Sequence, residues 1–302
     1  MIMNMENKVD IRTALEQYRN IYFASRNFGN STRREYTTDI LQLIDFLSSK
    51  GLTEPHSITL NHLNEYLAHL DTLNLAGATR RRKTSTLKSF FAYMEEAEYI
   101  QKDISKRLIP PKKETAPPRV LSEMEYQRLL RAVANEPRDA AIIELLLQTG
   151  IRLSELAGLT TDDIELPVKI TPDPEDTGLI TVRGKGRKTR TIPLNHKACR
   201  AVKSWLRVRP DYGTSDLFFS KFRTPITPIG FQWIVKRYLE EANIHNAHVH
   251  TLRHTFGTHM AKNGAQLKTI QDMMGHNDLK TTSIYVSLAK EQQKIDVQAF
   301  AL

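Results

Sequence analysis

Residues 108–119 read Leu-Ile-Pro-Pro-Lys-Lys-Glu-Thr-Ala-Pro-Pro-Arg, with four prolines in two pairs. Proline fixes φ and has no amide hydrogen, so no helix crosses such a stretch and an extended linker is expected. The linker cuts a chain of 302 residues, too long for one ordinary core. The expected domains are 1–107 and 120–302, with a tail beginning near residue 289.

The pattern differs on the two sides. Before the linker everything reads as helix. Asn30-Ser31-Thr32 offers a cap, and Tyr36, Ile40, Leu43, Ile44 and Leu47 follow at helical spacing until Gly51. A second helix is expected over Ile58 to Leu70, and a third from Ala78 to about Tyr99 with Leu87, Phe90, Phe91 and Met94 inward. After the linker, Ser122 and Glu125 form a capping box. Asp139 to Gln148 is a strongly apolar helix ending at Thr149-Gly150, and another starts near Leu153. Leu179–Arg183 and Lys188–Pro193 have strand composition, with Gly184-Lys185-Gly186 as a hairpin turn between them. Helices are expected over Lys197–Val208, Pro228–Ala242, Thr251–Asn263, Leu267–Met274 and Thr281 to about Leu288. The fold class is therefore mainly α with a small β-sheet. Leu166 to Thr177, with three prolines and an acidic bias, reads as a long loop without a functional account.

The formal net charge is +9, which favours polyanionic partners or plain solubility. Through Lys106 there are 14 basic against 13 acidic residues, and beyond it 29 against 21, so the excess lies in the second domain. Cys199 is the only cysteine, so no disulfide forms within the chain and a reducing compartment fits. No apolar run of membrane-spanning length and no secretory h-region is present, so a cytoplasmic protein without membrane contact is expected.

Chemistry-bearing residues are scattered. His250 and Arg253 share one helical face, where the arginine can fork onto a phosphate and the histidine can exchange a proton. His254 lies on an adjacent face and can pack inward. Arg152 follows the buried helix, either as a complement to its C-terminal dipole or as a site residue. Glu155, three residues on, can pair with it at the surface or orient it. Lys185 sits between two glycines, surrounded by Arg183, Arg187, Lys188 and Arg190, a density of like charge that wants an anion. Arg80, Arg81, Arg82 and Lys83 open the third helix, with Lys88 further along. They are either a solvated end or a set of phosphate contacts. Tyr285 alone is one of ten tyrosines. Asp162 and Asp163 read as a cap or loop, and no clustered metal-ligand motif is present.

The order of these signals is more specific than any one of them. Thr149-Gly150-Ile151-Arg152-Leu153-Ser154-Glu155-Leu156, then Gly184-Lys185-Gly186, then His250-Thr251-Leu252-Arg253-His254, then Gly275-His276, then Tyr285, resembles the tyrosine recombinase family of phage-type integrases and Xer-type enzymes. The resemblance covers essentially the whole chain. It implies a helical core-binding domain that clamps DNA opposite a mixed α/β catalytic domain. It implies that Arg152 and Arg253 clamp a scissile phosphate, that His276 donates to a non-bridging oxygen, and that Lys185 protonates the leaving 5′ oxygen. His250 would serve as base, Tyr285 would form a 3′-phosphotyrosine, and Glu155 would support the site. The implied activity is site-specific recombination without metal or cofactor, in chromosome dimer resolution or mobile-element integration and excision. The implied partners are double-stranded DNA carrying a specific site and further copies of the chain, four on two sites. A partner recombinase or accessory protein is compatible with this. Lys112 and Lys113 would lie near phosphates. The tail residues Ile295, Val297, Phe300 and Leu302 would dock on a neighbouring protomer. The alternatives are a type IB topoisomerase-like enzyme, disfavoured by compact length, and a non-catalytic DNA-binding protein, disfavoured by the complete residue set.

Overall fold

In the computed structural model, residues 9–112, 117–184, 189–276 and 282–290 are described. The chain divides into two compact units, Met1–Ala116 and Pro117–Leu302.

The first unit is helical throughout its described residues. α1 (Ile11–Gln17) runs through one wide turn, Tyr18–Tyr22, into α2 (Phe23–Ser25), followed by α3 (Asn30–Ser48), α4 (Leu60–Thr72) and α5 (Gly77–Glu96). The apolar positions of α3, Ile40, Leu43, Ile44 and Leu47, are fully buried against Leu63 and Tyr66 of α4 and Leu87, Phe90, Phe91 and Met94 of α5. Asn30-Ser31-Thr32 does not cap α3, because these residues already lie in its first turn and Gly29 precedes them. At the other end Gly51 has φ +73. The Leu52 amide donates to the Leu47 carbonyl and the Gly51 amide to that of Ser48, both at 3.0 Å. This pair of bonds satisfies carbonyls the helix end leaves open, and its left-handed residue is most easily glycine.

The cations at the start of α5 are largely turned to internal use. Lys83 is buried, with Nζ donating to Asp39 Oδ1 at 2.8 Å and also to Gln42. Arg82 pairs with the same carboxylate, and Thr86 Oγ1 donates to its Oδ2 at 2.9 Å. Asp39 is 1% exposed. Lys83 therefore faces the interior rather than a DNA groove: a buried carboxylate on α3 needs compensating donors, and α5 supplies them. Arg80 pairs with Asp71, and Arg81 donates to the Pro111 carbonyl at 2.7 Å. Lys88 is half-buried, while Lys112 is exposed.

The second unit opens with α6 (Glu123–Val133), capped by the expected Ser122/Glu125 box, then α7 (Pro137–Thr149) and α8 (Leu153–Ala157). A three-stranded antiparallel sheet of β1 (Ile164–Glu165), β2 (Gly178–Arg183) and β3 (Thr189–Leu194) follows in that spatial order. Helices α9 (His196–Val208), α10 (Pro228–Glu241), α11 (Val249–Lys262) and α12 (Leu267–Met274) complete it, with a last helix, α13, over 282–290. β1 has no counterpart in the sequence reading, since two residues carry no periodicity. It makes the acidic 166–177 segment the connection between two paired strands. α7 is the central element, burying Ile142, Ile143, Leu145 and Leu146 against Ile180, Val182, Ile192, Cys199 and Val202. Among the described residues no helix is long and apolar enough to cross a membrane.

Asp39→Ala would leave Lys83 buried and uncompensated. The expected cost is about 3–5 kcal/mol, read as a lower urea midpoint for the first unit within the full chain. Replacing Asp39 and Lys83 together by apolar residues should cost much less.

Candidate active site

The last carbonyls of an α-helix have no partner inside it. At the end of α12 they are taken by three arginines from three separate segments. Met273 O accepts from Arg190 Nε at 2.9 Å, Met274 O from Arg253 Nη2 at 2.6 Å, and Gly275 O from Arg152 Nη2 at 2.6 Å. Gly275 has φ +63, and a Cβ there would come within 2.8 Å of the Arg190 guanidinium. Both the turn and the close approach require glycine. The next residue is His276.

Local sequence places each arginine. Gly150 ends α7 at φ +60, and the reversed chain makes Arg152 the residue that precedes α8. Arg152 is thus not the dipole complement of α7, because the Gly150 carbonyl accepts from Arg253 Nη1 instead. Arg253 lies on the buried face of α11, 7% exposed. Arg190 lies two and four residues before Ile192 and Leu194, on the same face of β3, so it points inward.

Glu155 offsets this concentration of charge. It is 3% exposed. Arg190 forks onto it, Nη1 to Oε1 at 2.7 Å and Nη2 to Oε2 at 2.9 Å. Arg152 adds Nη1 to Oε1 at 2.9 Å and its backbone amide to Oε2 at 2.8 Å. Burial alone would raise the Glu155 carboxyl, but the Arg190 fork and the Arg152 donors hold it below its ordinary value. Burial, then the nearby Arg152 charge, brings the Arg253 guanidinium down to about 10.

Tyr285 on α13 is 1% exposed. Its ring lies over Gly257 of α11, where a Cβ would meet ring atoms at 2.9 Å, and it stacks on His276 with centroids 6.0 Å apart. Its hydroxyl is 3.1 Å from His254 Nδ1. Burial raises the phenol, although the Arg253 charge opposes this. His276 Nδ1 is 2.9 Å from Thr282 Oγ1. Burial, then neighbouring cationic groups, drops both His254 and His276 to about 4, so both rings are neutral at pH 7. His250 starts α11 with an exposed ring, 5.9 Å from that of His248.

Arg152, Glu155, Arg253, His276 and Tyr285 therefore gather around one helix end. The residue beside the Tyr285 hydroxyl is His254, not His250. Lys185, Arg187, Lys188 and Lys113 lie outside the described residues. Arg183 forks onto Asp163 at 2.7 and 3.0 Å, and Asp163 also accepts from the Thr160 amide and hydroxyl. The cationic cluster thus finds part of its compensation in protein carboxylates. Arg190, His254 and Thr282 were not singled out by sequence as site residues. For Arg190 a signal existed: a charge in the inward register of a strand needs a buried partner. Among the described residues no group of His, Cys, Asp and Glu is arranged to hold a metal ion.

Two histidines held near 4 rather than 6.5 make stability pH-dependent. Between these values the unfolded chain binds protons that the folded chain does not, so stability falls as pH drops through the window. The expected result is a melting temperature lower at about pH 5 than at about pH 7, with a shallower slope in His254→Gln, measured by thermal denaturation.

Residues 119–292 match the model of the phage integrase family, and residues 15–98 match that family's N-terminal SAM-like domain. Tyrosine recombinase XerC of Natranaerobius thermophilus is 32% identical over 289 residues, covering 91% of this chain and 94% of that protein. Tyrosine recombinase XerD of Bifidobacterium longum is also 32% identical, over 284 residues, covering 88% and 89%. The crystal structure of XerH site-specific recombinase bound to a palindromic difH substrate, a post-cleavage complex, shares the fold with TM-score 0.75 and 22% identity, covering 94% of this chain and 84% of that one. The chain belongs to the phage integrase family and is an Xer-like tyrosine site-specific recombinase.

Proposed function

We propose that the chain cuts and rejoins double-stranded DNA at a specific site through a 3′-phosphotyrosine on Tyr285. The observation that carries this is the convergence of Arg152, Arg253, His276 and Tyr285 on the Gly275 turn. A guanidinium has five N–H donors, and the side chains of Arg152 and Arg253 each make two bonds to protein acceptors. Donors remain on both for the non-bridging oxygens. In a closed site such preorganised donors are worth about 10²–10³ in rate each.

In the step itself the Tyr285 oxygen bonds to phosphorus, and the bond from phosphorus to the 5′ oxygen breaks. The tyrosine proton goes to a histidine. Family resemblance points to His250, whereas His254 is the ring at hydrogen-bond distance here. The 5′ oxygen takes its proton from Lys185. In the reverse step a 5′ hydroxyl attacks the phosphotyrosine and the phenolate leaves, so bond energy is conserved. A neutral His276 can donate from Nε2 only if Nδ1 accepts, and the Thr282 hydroxyl is placed to donate to it. Glu155 holds Arg152 in place. Basic residues outside the site, Arg81 and Lys112 among them, are proposed to contact the phosphate backbone from the N-terminal core-binding domain.

Tyr285 is buried, so cleavage requires it to turn outward. Strand exchange on four protomers offers a trigger. A cavity of 850 Å³ within the second unit is lined by Leu121, Tyr126, Leu147, Phe256, Met260 and Met273, among others. It suits the apolar tail residues Ile295, Val297, Phe300 and Leu302 of a neighbouring protomer, which lie outside the described residues. Docking there would couple assembly to α13. Dimer resolution and mobile-element integration or excision are both uses of this exchange, in the cytoplasm where the DNA lies.

The test is a nicked duplex carrying a site recovered by sequencing the DNA the protein binds. Wild type should form a detergent-stable covalent adduct, and Tyr285→Phe should bind the duplex but form none. No adduct on any recovered site overturns the proposal. Reciprocal exchange between two such sites, rather than relaxation alone, separates recombination from topoisomerase-like action.

A further inference from the structure

The Arg190 side chain makes three hydrogen bonds in the site, against two each for those of Arg152 and Arg253, and all three go to protein acceptors. Nη1 and Nη2 take both oxygens of Glu155, and Nε takes the Met273 carbonyl. Its side chain is 18% exposed. The backbone of Gly275 rests against its guanidinium, leaving no room for a Cβ.

We propose that Arg190 is a positioning residue for DNA cleavage, fixing Arg152 through Glu155 and the His276 turn through Met273, without touching DNA. This rests on the recombinase reading given above. By filling both Glu155 oxygens, Arg190 leaves Arg152 a single side-chain bond to that carboxylate. The second Arg152 nitrogen is then free for the Gly275 carbonyl and for phosphate. Without Arg190, Arg152 can fork fully onto Glu155 and withdraw from the phosphate, and the Met273 carbonyl loses its donor. A lysine keeps the charge but is a compact ammonium that cannot span a carboxylate fork and a carbonyl together.

Arg190→Gln and Arg190→Lys are compared with wild type on the nicked duplex, by the single-turnover rate of adduct formation, DNA affinity and melting temperature. A second duplex carries a methyl in place of one non-bridging oxygen at the scissile phosphate. That phosphate is neutral and depends less on a cationic clamp. On the ordinary duplex both variants should bind DNA nearly as wild type but form adduct about 10²-fold more slowly, the scale of a misplaced catalytic group. On the neutral duplex the ratio of wild-type to variant rate should shrink. Adding Glu155→Gln to Arg190→Gln should cause little further loss, since both act through Arg152. Wild-type rates in the variants overturn the proposal. So does an equal deficit on both duplexes, which marks Arg190 as scaffold only. Absence of adduct with wild type sinks the recombinase reading itself, a result distinct from either.

Discussion

The site is built on the C-terminal end of α12, where three consecutive carbonyls each accept from a different arginine. Three guanidinium groups in so small a space repel one another, and two things hold them. One is the buried Glu155 carboxylate, bonded by Arg190 and Arg152. The other is the helix end, equivalent to roughly half a negative charge. Three positive charges against these leave an excess of roughly +1.5, and among the described residues Glu155 is the carboxylate that pairs with Arg152 and Arg190. In the proposed function the scissile phosphate answers that residual charge.

The same helix end positions Tyr285, the proposed nucleophile. Gly275 turns the chain so that His276 follows directly after the last arginine-bound carbonyl, and His276 stacks on Tyr285. Gly257 lets the tyrosine ring sink against α11, and His254 holds its hydroxyl. Burial raises the phenol and neutralises both histidines. A tyrosine held this way is protected from solvent, and burial favours its protonated form. The three arginines, which come from just beyond α7, from β3 and from α11, are held by hydrogen bonds. In the proposed reaction the element that has to move is therefore α13.

A run of charge in the sequence does not show which of its cations the fold pairs with carboxylates. Arg82 and Lys83 stand in a run of four cations, yet both are committed to Asp39, 43 and 44 residues earlier. Arg183 is likewise committed to Asp163. A run of cations in sequence shows where positive charge is, but not which carboxylates the fold will bring to it. Asp39 gave no local sign of being buried, because its need for donors arises only once α3 and α5 pack. β1 escaped notice for a similar reason: a two-residue strand is defined by its partner, not by its own pattern.

Sequence by itself determined the elements and the chemistry available to them. The helical periodicity, the Ser122/Glu125 cap, the turn glycines at 51 and 150, and the ordered set of Arg152, Arg253, His276 and Tyr285 are all local or motif-level signals. Mainly α architecture with a small sheet and membership of the recombinase family follow from them. Only the tertiary structure decided how charges are shared and which groups touch. It put Arg190 rather than a surface contact beneath Glu155, His254 rather than His250 beside the tyrosine hydroxyl, and Lys83 inside the first unit. The physical reason is that hydrogen bonds and ion pairs of buried groups are set by neighbours distant in sequence. Those neighbours exist only after apolar burial has fixed the helices against one another.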